Sequence, residues 1–174
     1  MRRVVYSVAA SLDGFIAGPK GEIDWIISDP NVDFAAIYSR FDTVLLGRRT
    51  YEMTQQPGAP PWPPGWRVVV FSRTLGARES GTAVVDSDVR ATVSTLRAES
   101  GRDIWLFGGA KLFASLLALQ LVDEVNVAVM PVLLGGGVPL VDGAADRSNL
   151  TLAGFEASPS GIVNLRYEVR RTAG

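Results

Sequence analysis

Glycine, serine and basic residues follow three apolar segments of the sequence. They are Gly47, Arg48, Arg49 and Thr50 after the first segment, Ser72 and Arg73 after the second, and Gly108, Gly109, Ala110 and Lys111 after the third. Glycine lets a backbone approach an anion closely, a helix that begins there presents free N–H groups, and arginine and serine add charge-assisted hydrogen bonds. In open α/β sheets, ligands bind beyond the carboxyl ends of the strands. The three segment ends together therefore predict a site for a phosphate-rich ligand.

None of the three motifs identifies a ligand by itself. Gly108-Gly109 before a helix also fits a tight turn, and Arg48 or Arg49 also fits a solvated surface charge. The two common nucleotide fingerprints, G-x-G-x-x-G and the P-loop, are absent from the sequence. A nucleotide bound here would therefore be held by a different scaffold.

The composition excludes several catalytic chemistries. The 174 residues include no cysteine and no histidine, and lysine occurs only at Lys20 and Lys111. Thiolate nucleophiles, cysteine-ligated metals and histidine bases are therefore absent, and we expect no metal site. Demanding chemistry would be delegated to a bound cofactor. The formal net charge of −1 gives no basic footprint for nucleic acid.

Short apolar segments predict six strands and a terminal hairpin. The strands are residues 4–9, 43–46, 66–71, 83–85, 103–107 and 124–130, and the hairpin arms are residues 150–157 and 162–170. Alternation of apolar and polar residues in the second arm indicates antiparallel pairing with one wet face. Residues 11–19 predict a long connection, and residues 135–137 a flexible glycine loop. The prolines of residues 57–65 forbid helix and central strand there.

Helical spacing predicts four helices between these strands. The first covers residues 33–39, with Phe34, Ile37 and Phe41 on one face, and the second covers residues 49–55. The third runs from a cap at Asp86 or Ser87 to about Glu99. The fourth follows Gly109, with Leu112, Phe113, Leu116 and Leu117 inward. Strands that alternate with helices predict an α/β fold. We expect one domain, residues 1–174, with a mixed, mostly parallel sheet, helices on both faces and the C-terminal antiparallel hairpin.

The first apolar segment does not fit a targeting or membrane segment. Residues 4–10 are too few to span a bilayer, and Asp13 follows where a signal peptide would need a cleavage site. The sequence therefore predicts a cytoplasmic protein without a membrane partner.

The order and spacing of the motifs resemble the dihydrofolate reductase superfamily, especially the reductase domain of bacterial riboflavin synthesis and its small stand-alone relatives. The matching segments are residues 11–17, 43–52, 66–73, 106–112 and 121–135, which together span nearly the whole chain. The resemblance implies the three-layer fold of that superfamily and an NADPH-dependent reductase. The resemblance gives little information about the identity of the substrate.

The resemblance also implies where NADPH would lie. Gly47, Arg48, Arg49 and Thr50 would face its phosphates, Ser72 and Arg73 would hold the 2′-phosphate, and Gly108, Gly109, Ala110 and Lys111 would cradle the diphosphate. Ala9 and Ile16 would flank the nicotinamide, and residues 12–18 would form a lid over it.

Asp33 is the candidate catalytic acid, because it lies near the position where dihydrofolate reductases carry theirs. It also fits an N-cap of the first helix. Asp13 and Asp24 are alternatives, although Asp13 also fits a side chain bonded to its own turn. Trp25, Trp62 and Trp66 fit either stacking on a flat heterocycle or core packing.

The sequence departs from both substrate classes of the superfamily. Tyr51-Glu52-Met53 stands where the riboflavin reductases carry an Asp-Asn-Pro segment for the ribose phosphate, whereas residues 133–137 are similar to the riboflavin group. The predicted function is hydride transfer from NADPH to a small heterocycle, either pterin-like or 5-amino-6-ribosylaminouracil-like. The alternative is a catalytically weak or inactive nucleotide-binding module of the same fold. The resemblance also suggests that the terminal hairpin forms a homodimer.

Overall fold

Apolar, β-branched segments form a central sheet of eight strands. The computed structural model of the chain describes residues 1–75, 84–143 and 147–170. The strands are β1 Val4–Ser11, β2 Phe15–Ala17, β3 Phe41–Gly47, β4 Arg67–Phe71, β5 Val84–Asp86, β6 Asp103–Gly108, β7 Glu124–Met130, β8 Val138–Pro139, β9 Leu150–Ala157 and β10 Val163–Val169. The helices are α1 Phe34–Ser39, α2 Arg48–Thr54, α3 Val89–Ala98 and α4 Ala110–Ala118.

The sheet is mixed and mostly parallel. Its strand order is β5-β4-β3-β6-β1-β7-β10-β9. The pairings from β5 through to β7 are parallel, and β10 and β9 are antiparallel. Strands β2 and β8 form a separate antiparallel pair. The predicted parallel core and C-terminal hairpin are confirmed.

Helices cover the sheet on both faces. On the face we call the α4 face, Val93 and Leu96 of α3 and Phe113 of α4 pack with the inner side chains of β1 and β6. On the other, which we call the α2 face, Tyr51 of α2 and Tyr38 of α1 pack against a second cluster. Both clusters are built from strand residues of alternating direction, as expected for a sheet buried on two sides. The prediction of helices on both faces is confirmed.

The connections around β1 and β6 cross the sheet on opposite faces. The chain passes from β1 to β3 over the α2 face through α1, and from β6 to β7 over the α4 face through α4. Strands β1 and β6 are neighbours. A crevice forms at the carboxyl ends of strands where connections leave on opposite faces, and it is the usual ligand site of such folds.

Two local predictions need correction, and a third extends beyond the described residues. The connection over residues 11–19 contains β2, which finds its partner β8 more than a hundred residues later. Asp88 caps α3, where Asp86 or Ser87 was predicted, because its carboxylate accepts a hydrogen bond from the Ala91 N–H. The predicted strand over residues 83–85 begins at Val84 among the described residues, and Ala83 lies outside them.

Two of the three apolar residues that the sequence placed on one face of the first helix are exposed. Phe34 is 53% exposed and Ile37 is 38% exposed. Tyr38 takes the inward position instead and packs against Trp66 and Trp105. The six residues of α1 make fewer than two turns, so apolar spacing alone could not fix its rotation.

Candidate functional site

The three segment ends singled out in the sequence lie side by side. Strands β4, β3 and β6 are parallel neighbours, with Gly47 level with Phe71 and Leu46 level with Gly108. A Cβ atom built on Gly47 would lie 3.7 Å from the Gly109 nitrogen. The glycine turns after β3 and β6 therefore face each other across a gap about one methyl group wide.

Two helices begin at this gap. Gly47 is the N-cap of α2 and Gly109 is the N-cap of α4, and neither cap makes a side-chain hydrogen bond among the described residues. The first backbone N–H groups of a helix have no partner within the helix and carry its positive dipole end. Two such ends thus point at one small space.

The second glycine turn allows a close approach. The peptide bond between Gly108 and Gly109 is cis, and Gly108 has a φ of +143°. A Cβ on Gly109 would lie 3.1 Å from the Thr50 hydroxyl oxygen, which is tighter than ordinary contact. The four residues Gly47, Thr50, Gly108 and Gly109 therefore form one cradle, which added side-chain atoms would fill.

The basic residues of the motifs differ in what they contact. Arg48 is engaged, because its Nε lies 2.6 Å from Glu52 Oε1 and its Nη1 donates to the Thr74 hydroxyl at 2.6 Å. Arg49 and Arg73 are exposed. The Lys111 side chain is 81% exposed, and its Nζ lies 3.9 Å from an Asp142 carboxylate oxygen.

Ser72 closes the turn that presents Arg73. Its hydroxyl oxygen accepts hydrogen bonds from the Thr74 and Leu75 N–H groups, at 3.1 and 2.9 Å. A shallow pocket of about 300 Å³ lies between this turn and α2. It is lined by Arg48, Tyr51, Glu52, Gln55 and Leu75. The turn and the pocket adjoin the glycine cradle through α2.

The residues expected beside a nicotinamide lie on different sides. Ala9 follows Val5 by four residues on β1, so its side chain is directed to the α2 face. Ile16 on β2 packs against the cluster on the α4 face. The order of the segments predicts that both residues lie near the carboxyl end of β1. It does not predict the direction of either side chain.

The candidate acids Asp33 and Asp13 both hold backbone structure. Asp33 caps α1, and its Oδ1 accepts a hydrogen bond from the Ala36 N–H at 2.9 Å. The Asp13 carboxylate accepts from the Ser11 hydroxyl at 2.6 Å and from the Leu134 and Gly135 N–H groups. The Ser11 hydroxyl and these two N–H groups lower the pKa of Asp13 to about 2. Asp24 is exposed.

The Asp13 bonds join two loops that the sequence predicted separately. Leu12 N–H donates to the Val132 carbonyl and Leu140 N–H to the Gly14 carbonyl. A Cβ on Gly137 would lie 2.1 Å from the Ala17 carbonyl oxygen, so only glycine fits there. The predicted lid and the predicted glycine loop are therefore fastened to each other.

Asp29 is a buried acid that the sequence analysis missed. It is 4% exposed, and its Oδ2 accepts from the hydroxyls of Ser158 and Ser160 at 2.6 and 2.7 Å. These two hydroxyls and Asn31 lower the pKa of Asp29 to about 2. The Asp29-Pro30-Asn31 sequence predicts a local turn, but nothing in it predicts a contact with the β9–β10 turn. The carboxylate ties the segment before α1 to the terminal hairpin.

Neither a metal cluster nor a membrane span is found in residues 1–75, 84–143 and 147–170. No group of three or more Asp, Glu, His or Cys side chains there could hold a metal ion. No helix there is long and apolar enough to cross a bilayer.

The comparisons with known proteins identify the family of the chain. The family model of the RibD C-terminal domain matches residues 2–164. The Bacillus subtilis protein YyaP, itself uncharacterised, is 34% identical over 177 residues, which cover 95% of this chain and 94% of the relative. The chain therefore belongs to the RibD C-terminal domain family, as the resemblance in the sequence predicted.

Solved structures share the fold over almost the whole chain. A provisionally named riboflavin biosynthesis protein of Shewanella sp. PV-4 has a TM-score of 0.82 and 27% identity, and the match covers 98% of this chain and 100% of that one. A Thermotoga maritima diaminohydroxyphosphoribosylaminopyrimidine deaminase/5-amino-6-(5-phosphoribosylamino)uracil reductase has a TM-score of 0.71 and 17% identity. That match covers 97% of this chain and 57% of that one, and it shows the fold alone. Family membership supports a reductase role.

Proposed function

We propose that this protein is an NADPH-dependent reductase that transfers a hydride to a small heterocyclic substrate. The observation that carries the proposal is the glycine cradle, where two helix N-termini and the ends of β3 and β6 meet. A diphosphate at the mouth of this cradle would meet backbone N–H groups and the positive ends of two helix dipoles, which bind anions.

The chain's own residues would bind and orient the dinucleotide. Gly47, Thr50 and residues 108–111 would surround its diphosphate, with Arg48 and Arg49 at the rim. Ser72 and Arg73 would contact the 2′-phosphate, which distinguishes NADPH from NADH. Ala9 and Ile16 would lie at the nicotinamide end of the crevice. When bound, reduced nicotinamide supplies two electrons and a proton as hydride, and the substrate atom next to the accepting carbon takes a proton.

Asp33 remains our candidate for the proton transfer. It lies at the start of α1, where the chain leaves the carboxyl edge of the sheet. A binding module without turnover is the second candidate function. The observation that favours it is that hydrogen bonds hold both Asp33 and Asp13 in backbone turns. NADPH binding without hydride transfer to any pterin or ribosylaminopyrimidine would select the binding module.

Arg73→Ala is expected to weaken NADPH binding by about tenfold to a hundredfold and NADH binding by less than about threefold. A hydrogen bond to a charged group contributes about 1.5–3 kcal/mol, and NADH lacks the 2′-phosphate that would receive it. Titrations of both dinucleotides, followed by quenching of tryptophan fluorescence, measure the two affinities.

Arg67→Ala is the matched control, because Arg67 is an exposed arginine at the opposite end of the same strand, paired with Glu99. It should change neither affinity. Equal losses for NADPH and NADH in Arg73→Ala would reject the 2′-phosphate contact. No binding of either dinucleotide to the wild-type protein at millimolar concentration would reject the reductase proposal itself.

We also propose that the protein is a homodimer through the terminal hairpin. The large apolar residues of β9 are exposed on one side of the strand: Leu150 by 41%, Leu152 by 51% and Phe155 by 73%. They are level with Val169, Tyr167 and Leu165 of β10, so they extend one apolar sheet surface. Light scattering should give a mass near twice 18.6 kDa, and Phe155→Glu should halve it. A monomeric wild-type protein would contradict this.

A further inference from the structure

Residues 19–33, which we call the strap, connect β2 with α1. Asp29 is the only buried residue of the strap, and Trp25 and Val32 are half-buried. The three isoleucines are exposed by 48%, 36% and 39%: Ile23, Ile26 and Ile27. Apolar packing therefore gives the strap little attachment to the sheet between the strand and the helix that it joins.

Hydrogen bonds attach the strap to the rest of the protein at one point. Where its backbone N–H groups bond to a backbone carbonyl, they do so three residues earlier, as Ile26 does to Ile23, which holds only a local turn. Among the described residues, only the bonds from the Ser158 and Ser160 hydroxyls to Asp29 Oδ2 join the strap to a residue more than four positions away. We call these two bonds the latch.

The turn between β9 and β10 is a fixed support for the latch. The Ser158 N–H donates to the Ile162 carbonyl, and Ile162 is 3% exposed. A Cβ on Gly161, whose φ is +87°, would lie 3.3 Å from the Pro131 Cγ. Pro131 directly follows the last residue of β7. The strap therefore runs along the carboxyl edge of the sheet, from β2 to the end of β7.

Two opposing contributions act on the latch. The donors that the described residues supply to the Asp29 carboxylate are neutral: the two serine hydroxyls at 2.6 and 2.7 Å, and the backbone and side-chain N–H groups of Asn31 at 2.8 and 3.0 Å. Hydrogen bonds to a charged group are strong, but the burial of a carboxylate without a cation is costly. A segment with few buried contacts opens locally more readily than the whole protein unfolds. The closed position of the strap therefore depends on the serine hydroxyls.

We propose that the strap opens and closes as one unit along the carboxyl edge, and that the hydrogen bonds of Asp29 with Ser158 and Ser160 hold it closed. In the open state, water solvates the carboxylate and both hydroxyls. The ends of the strap stay in place, because β2 pairs with β8 and Asp33 caps α1. Opening changes the access to the carboxyl edge between β2 and the end of β7. This device is independent of the proposed reductase function.

Hydrogen–deuterium exchange of the full-length protein, followed by mass spectrometry, tests the latch. In the double variant Ser158→Ala, Ser160→Ala, the strap amides should exchange roughly tenfold to a hundredfold faster than in the wild type, because hydrogen bonds to a charged group are lost. Strands β3 and β7 should exchange as in the wild type. The two serines are 129 and 131 residues from Asp29 in the sequence, so a change in the strap reports the latch.

Asp29→Ala removes the carboxylate itself and should give the same pattern, so it decides the matter if the double variant fails to fold. Asp24→Ala is the matched control, because Asp24 is an exposed acid of the same strap, and it should exchange like the wild type. Three results would overturn the proposal: strap exchange that neither latch variant changes, an equal increase in β7, or strap amides that already exchange at the unprotected rate in the wild type.

Discussion

Gly47→Ala is expected to weaken NADPH binding by roughly tenfold to a hundredfold while the protein stays folded. The added methyl group would lie 3.7 Å from the Gly109 nitrogen and 3.9 Å from the Gly108 carbonyl oxygen, which are ordinary contacts. Gly47 has a φ of −78°, which alanine adopts without strain. The folded protein therefore accepts the methyl group, but the space between the two helix N-termini is filled. Forcing a ligand into an overfilled site costs about 1–3 kcal/mol.

The measurement combines a fluorescence titration with NADPH and a thermal melt. Gly136→Ala is the matched control, because a Cβ at Gly136 meets no atom within 4 Å. The control should bind NADPH like the wild type. If Gly47→Ala melts within a few degrees of the wild type and also binds NADPH normally, then the cradle does not hold the cofactor.

The sequence predicted the cradle because its signal is local. An apolar segment that ends in glycine and is followed by a helical segment marks the carboxyl end of a strand, and this rule found the ends of β3 and β6 without knowledge of the pairing. Parallel strands joined by helices place such ends on one edge of a sheet. The position of Gly47 beside Gly109 follows from these two facts, although residues 47 and 109 are far apart in the chain.

The packing on the α2 face was less predictable because it depends on contacts between distant segments. Asn126 meets Ser7 because β7 pairs with β1, and Trp62 reaches Phe107 because a proline-rich loop folds over the sheet. Asp29 is fixed by hydroxyls of the β9–β10 turn, about 130 residues later. No periodicity within one segment carries this information.

The two edges of the sheet use their charged residues differently. At the amino edge, Arg97 pairs with Asp123, Arg2 with Asp42, and Arg40 with both Asp103 and Glu124. At the carboxyl edge, Arg48 pairs with Glu52, whereas Arg49, Arg73 and Lys111 are exposed to solvent. Paired charges at one edge stabilise the fold, whereas exposed charges beside a glycine cradle are available to a ligand. The sequence alone, with 17 basic and 18 acidic residues, does not distinguish the two sets.

Glu124→Ala should lower the free energy of unfolding by about 3–5 kcal/mol, the usual effect of removing one partner of a buried ion pair. Glu124 is 2% exposed, and Arg40 donates hydrogen bonds to both of its carboxylate oxygens, at 2.7 and 2.8 Å. Burial by itself raises the pKa of Glu124, but the Arg40 hydrogen bonds outweigh it and hold the pKa below its ordinary value. Without the carboxylate, Arg40 retains Asp103 alone and Arg3 retains Glu168. Urea unfolding at neutral pH measures the loss.

Glu168→Ala separates burial from charge in this network, because Glu168 also pairs with Arg3 but its side chain is 46% exposed. Exposed ion pairs contribute less than about 1 kcal/mol, so this variant should unfold close to the wild type. For a chain of this size, each kcal/mol shifts the melting temperature by about 2–4 °C, so Glu124→Ala should melt roughly 10 °C lower. Equal losses in the two variants would mean that Glu124 acts only as a surface charge and that the amino edge is not held together by its buried carboxylate.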